Sequence, residues 1–110
     1  MTNEEKAQLA WQVLTGAARN RQILTYEHVA RRIGMATPGM GNVLEPIMRY
    51  CVERGVPPLT VLVVQKGTGV PGPGLTTSSD FDSDREAVFI HNWDAQVPPS
   101  AAEFRAVLDR

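Results

Sequence analysis

The 110-residue chain lacks most of the features that announce a chemistry. It has one cysteine, Cys51, so neither an internal disulfide nor a cysteine-rich metal cluster can form. Its two histidines, His28 and His91, lie far apart, and no HExxH or CxxC spacing occurs. No apolar run reaches the about 18 residues of a transmembrane helix. The opening Met1-Thr2-Asn3-Glu4-Glu5 is polar and acidic, unlike a secretory signal. No charge of one sign dominates: 11 basic residues face 12 acidic ones, which excludes a uniformly basic nucleic-acid binder. Low hydropathy with high net charge, the mark of disorder, is absent too. Ser78, Ser79, Ser83 and Ser100 are the only serines, none in a Gly-x-Ser-x-Gly elbow. These absences point to a single cytoplasmic domain over residues 1–110, without catalysis, cofactor, metal or membrane.

The balance of charge conceals a division. Residues 1–75 carry eight basic and five acidic side chains, a net +3, and residues 76–110 carry three basic and seven acidic, a net −4. All nine glycines lie at or before Gly74. The chain therefore reads as a basic, glycine-punctuated core body followed by an acidic C-terminal helical extension.

Thr2 with Glu5 makes a capping box, and Ala7, Ala10, Trp11, Leu14, Ala17 and Ala18 recur as one helical stripe, predicting a helix over Asn3–Ala18. Ile23-Leu24-Thr25 suggests a brief strand. Thr25 then serves as N-cap of a two-turn helix, Tyr26–Ile33, with Glu27 in its first turn, Arg31 and Arg32 in its last, and Gly34 as its stop. Thr37-Pro38 reads as cap plus first-turn proline of a third helix. Its stripe, Met40, Val43, Leu44, Ile47, Met48, Cys51 and Val52, ends before Gly55. Pro46 lies inside and predicts a kink, or a helix regular only from Asn42. Residues 25–55 thus spell a helix-turn-helix. Leu59–Val64 is the strongest strand signal, and Gln65–Gly74 an exposed loop or hairpin tip. A helix over Asp82–His91 is preferred to a strand over Ala87–His91. Ser100 and Glu103 form a second capping box ahead of a last helix that buries Phe104, Val107 and Leu108.

Little here suggests a reaction. Asp80-Phe81-Asp82-Ser83-Asp84 resembles the start of a calcium loop, but Arg85 and His91 occupy its sixth and twelfth positions. Cys51 sits on an apolar stripe, where a thiol is inert. The glycines of residues 67–74 match neither a Walker loop nor a dinucleotide fingerprint.

Residues 22–74 do resemble a known family. Leu24-Thr25-Tyr26-Glu27-His28-Val29-Ala30 is similar to the Thr-Tyr-Gly-x-Val-Ala helix of DNA alkylguanine transferases and alkyltransferase-like proteins. Gly41-Asn42-Val43-Leu44 is similar to the Gly-x-Ala-Leu start of their recognition helix. Pro58-Leu59-Thr60-Val61-Leu62-Val63 stands in the place of their Pro-Cys-His-Arg-Val-Val. The resemblance implies a winged-helix DNA-binding domain that enters the minor groove through its second helix. It does not imply alkyl transfer, because Leu59 stands at the nucleophile and Thr60 at the histidine. Pro38, Gly39 and Met40 stand where that family inserts an arginine.

The expected fold is α+β and mostly helical: a winged helix-turn-helix with a small β-hairpin or wing and extra N- and C-terminal helices. The expected function is non-catalytic binding of double-stranded DNA through Tyr26, Arg31, Arg32, Thr37, Met40, Asn42, Lys66 and Thr68. Small residues at the start of the third helix admit a phosphate backbone, and an asparagine can read adenine. The alternative is a winged-helix protein–protein interaction module, an adaptor or regulatory partner that does not bind DNA, and on either reading a homodimer is among the expected partnerships.

Overall fold

The computed structural model describes residues 1–72 and 80–110. Five helices and one very small sheet account for its architecture. Helix α1 spans Asn3–Arg19, β1 Leu24–Thr25, α2 Tyr26–Ile33 and α3 Met40–Arg54. A 3-10 turn over Leu59–Leu62 leads into β2, Val63–Val64. Helix α4 covers Phe81–Ile90, a second 3-10 turn Trp93–Ala95, and α5 Ala101–Leu108. No described helix is long and apolar enough to cross a membrane.

Local chemistry sets most boundaries. Thr2 Oγ1 accepts from the Glu5 amide at 3.1 Å while Glu5 Oε1 accepts from the Thr2 amide at 2.9 Å, a closed capping box on α1. Ser100 and Glu103 repeat it on α5. Thr25 Oγ1 caps α2 through the His28 amide. Asp80 Oδ1 accepts from the Ser83 amide, so the acidic stretch that resembled a calcium loop begins by capping α4. The helix reading of residues 82–91 agrees with α4; the strand alternative does not.

The end of α1 is unusual. The Arg21 amide donates to Ala18 O and the Gln22 amide to Ala17 O, the paired bonds of a Schellman stop. The left-handed residue this motif requires is Arg21, at φ 52°, where glycine is the ordinary choice. Arg21 is held in place from outside: its guanidinium grips both carboxylate oxygens of Glu86 at 3.0 and 3.3 Å and lies over the Phe89 ring. The strain at α1 is thus coupled to the docking of α4.

Three expectations need correction. Leu59–Val64 is not a strand: Leu59–Leu62 winds as a 3-10 turn and only Val63 and Val64 are extended. All six side chains are buried. A continuous apolar run of that length reads the same whether the backbone is extended or coiled, and the turn satisfies its own polar groups, with Val61 N–H donating to Pro58 O. Second, α3 starts at Met40, capped by Gly39 at φ 99° and not by Thr37. The helix is regular ahead of Asn42 too, from Met40, and continues through Pro46. The carbonyl deprived of its donor belongs to Asn42, an exposed residue in the first turn, where water can serve it. Third, the described residues contain no hairpin wing. Strand β2 pairs in parallel with β1, Leu24 beside Val63 and Thr25 beside Val64, and touches its following loop through one antiparallel bridge, Val64 to Pro71. The last two residues of the expected loop, 73 and 74, lie outside the described residues, as do residues 75–79.

One core joins body and tail. Trp11 of α1 meets Tyr50 of α3 edge-on at 5.6 Å and Trp93 at 5.5 Å, and lies tilted against Phe104 of α5 at 6.2 Å. Tyr50 in turn packs on Phe104 at 5.8 Å. Such pairs add about 0.5–1.5 kcal/mol each beyond the area they bury. The Trp93 indole N–H donates to Val88 O at 2.8 Å, satisfying its one polar atom inside the core. The acidic extension is therefore structural: Phe104 and Val88 are as deeply buried as Leu14 or Leu44.

Candidate functional site

The residues expected to meet DNA fall into three groups. The first is the entrance to α3. Gly34, at φ 76°, stops α2, and Gly39, in the same left-handed region, starts α3. Between them Ala36, Thr37 and Pro38 are exposed, as are Gly41 and Asn42 in the first turn. That first turn has no acidic side chain. Met40 belongs elsewhere: it is 1% exposed and packs in the core with Val43, Leu44 and Ile47, so it anchors the edge and does not present itself to a partner. Its place on the apolar stripe already carried that signal.

The second group is α2. Arg31 and Arg32 are both exposed at its C-terminal end. Arg31 pairs with Glu27 one turn back at 3.2 Å. Arg32 forms no salt bridge among the described residues and borders a cleft between α1 and α2. Tyr26, at the other end of α2, is half-buried and commits its hydroxyl to the backbone of Gly72. Burial raises its phenol pKa and that hydrogen bond opposes the rise. A side chain at Gly72 would collide with the Tyr26 hydroxyl, so glycine is required there for close approach. Tyr26 is a clamp on the loop.

The third group is that loop. Gln65 N–H donates to Val70 O at 2.8 Å and Gly69 N–H to Gln65 O at 3.1 Å, with Gly67 and Gly69 at positive φ. Lys66 and Thr68 stand exposed at its tip. Arg85 of α4 donates to Gly69 O at 3.0 Å. Tyr26 at Gly72 and Arg85 at Gly69 both tie down the returning half of the loop, a role for Arg85 that charge and spacing alone gave no means of assigning.

Cys51 is fully buried, its thiol against the Leu59 backbone, and desolvation pushes its pKa up to about 12. Leu59 and Thr60 are fully buried as well, leaving no open nucleophile site at that turn. Among the described residues no three His, Cys, Asp or Glu side chains gather as metal ligands would.

The arginines of the body are mostly engaged. Arg19 reaches Asp94 at 2.7 Å, Arg21 reaches Glu86, and Arg54 reaches Glu103 at 3.0 Å while lying over the Tyr50 ring. Arg105 pairs with Glu4, and Arg110 with Glu53. Arg49 pairs with Glu45 within α3. Lys6, Arg32 and Lys66 are the cations outside any salt bridge among the described residues. No protein-family model, curated protein or solved structure matches the chain.

Proposed function

We propose that the chain is a non-catalytic binder of double-stranded DNA of winged helix-turn-helix type, with α2 and α3 as the two helices and the Gln65–Gly72 loop in the place of a wing. The observation that carries the reading is the asymmetry of α3. One side is core, while its first turn opens outward as small, uncharged Gly41 and Asn42 beside exposed Thr37, with no carboxylate to repel a phosphate. Asn42 is the residue for base contact. Arg31, Arg32, Lys66 and Thr68 supply backbone contacts, and Tyr26 and Met40 hold the frame.

A second reading has its own support. Most of the arginines are bound to acids of the same chain, and the net charge is −1. That favours a protein–protein module of the same fold. Binding of a random duplex across a salt series separates the two. Binding that weakens steeply with salt supports DNA. No binding at about 50 mM salt, where phosphate contacts are strongest, overturns it and leaves the module ahead. Lys66→Glu is expected to weaken duplex binding without moving the melting temperature, because the side chain is exposed at a turn.

A further inference from the structure

The cleft between α1 and α2 joins Arg32, which the duplex reading assigns to a backbone contact, with side chains that reading does not use. It has a volume of about 230 Å³ and is lined by the polar Gln12, Asn20, Gln22, His28 and Arg32 together with Val13, Gly16, Ala17 and Leu24. That is below the about 300 Å³ at which pockets for drug-sized ligands begin, so an occupant must be small.

Its chemistry is one-sided. No acidic side chain borders it. Arg32 is the arginine that forms no salt bridge among the described residues, although eight others do. His28 stands one helical turn before Arg32, so both side chains lie on the same face of α2. Across from them α1 and the turn after it contribute three amides, from Gln12, Asn20 and Gln22.

We propose that this cleft seats a phosphate group. A guanidinium offers a fork of five N–H donors, each amide offers two more, and an imidazole offers at least one when its tautomer allows. That exceeds what the two oxygens of a carboxylate can accept in one plane. The terminal oxygens of a phosphate, three in a monoester and two in a nucleic-acid diester, are set tetrahedrally and accept from several directions at once, and an arginine fork matches two of them. The small volume suits the group itself with a short attachment. The proposal does not rest on the duplex reading, because the phosphate can belong to a small metabolite or to a nucleic-acid backbone.

Backbone amide shifts, followed by NMR on the full chain, test it. The probes are inorganic phosphate, ribose 5-phosphate and a short duplex DNA, with acetate as the carboxylate control. Saturable shifts confined to Gly16, Asn20, Gln22, His28 and Arg32 are expected, with acetate weaker. Arg32→Gln is expected to weaken the response about tenfold or more, the scale of one charge-assisted contact. Asn20→Ala and Gln22→Ala, each of which removes a cleft amide without changing charge, are expected to weaken it as well, while Lys6→Gln removes one cation outside the cleft and leaves it intact. Circular dichroism shows whether each variant is folded. Response to the free phosphates assigns the group to a metabolite; response to the duplex alone assigns it to a nucleic-acid backbone. No saturable shift with any phosphate probe overturns the site. So does equal weakening by Lys6→Gln and Arg32→Gln, which would mean diffuse charge attraction only.

Discussion

The arginines at the two ends of the fold are tied differently. Arg19 and Arg21 at the end of α1, Arg54 at the end of α3, and Arg105 and Arg110 near the C-terminus all find acids far away in sequence. Arg31 and Arg49, on α2 and in the middle of α3, pair with a glutamate one turn back. Arg32 and Lys66 form no salt bridge among the described residues. The acidic tail therefore answers the arginines at the end of α1 and of α3 and leaves the cations of α2 and the loop to themselves. The charge division of the sequence is largely an internal docking pattern, and the part it does not reach coincides with the proposed duplex face.

The strongest test of the tied half is its core, since exposed ion pairs contribute only about 0–1 kcal/mol each. Phe104→Ala is expected to lower stability by about 3–5 kcal/mol, because the ring is fully buried between Trp11 and Tyr50. Urea unfolding measures it. A loss typical of surface positions would mean that α5 is an appendage and that the ion pairs alone hold the tail.

Cys51 probes the shared core under α3. Its folded pKa is raised from 9.0 to about 12. A group that keeps its proton longer when folded contributes stability that is complete below its unfolded pKa and is lost as pH climbs toward the folded one. Stability is expected to fall by about 1 kcal/mol between pH 9 and pH 10 and to keep falling above, and Cys51→Ala should flatten the first part of that fall. Tyr26 and Tyr50, whose phenols are also raised above 10.0 by burial, join only above pH 10. Urea midpoints at pH 8, 9 and 10 check this. An unchanged slope in Cys51→Ala would place the thiol in contact with water.

The loop clamp lies on the untied half. Gly72→Ala is expected to cost about 1–3 kcal/mol through its collision with the Tyr26 hydroxyl. Tyr26→Phe in the same chain should recover part of it by removing the colliding oxygen. Thermal melts of the single and double variants check the coupling; additive losses would mean that the two residues do not touch.

How much of this was legible in the sequence follows from what each signal reports. Thr25, Gly34 and the Thr2 and Ser100 boxes act within one turn, so α1, α2 and α5 lie close to where local chemistry puts them. Leu59–Val64 misled because β-branched residues buried on every side carry no periodicity. Thr37 misled because Gly39, at a left-handed φ, offered a cap with no side chain to advertise it. Of the expected contact residues, Thr37, Asn42, Lys66, Thr68, Arg31 and Arg32 are exposed. Met40 is taken up by the core, as its place on the apolar stripe signals, and Tyr26 by a clamp that only its tertiary neighbour Gly72 could reveal. The cross-chain pairs were invisible for the same reason: Arg21 and Glu86 are 65 residues apart.

The smallest expected effect bears most directly on the comparison. Glu27 and Glu45 hold Arg31 and Arg49 by exposed pairs within single helices, worth about 0.3–0.5 kcal/mol each, so Glu27→Gln and Glu45→Gln should barely move the melting temperature. What they release is charge on the untied half. If Arg31 and Arg49 then reach phosphates, duplex affinity rises severalfold, and the log–log salt slope steepens by about 0.9 for each new contact. Glu86→Gln and Asp94→Asn free Arg21 and Arg19 on the tied half and remove the same number of negative charges. They are expected to leave the salt slope unchanged, because those arginines belong to the docking of the tail. Equal steepening by both pairs of variants would dissolve the distinction between the two halves and reduce duplex binding to net charge. Steepening by the first pair alone would locate the duplex on the α2–α3 face.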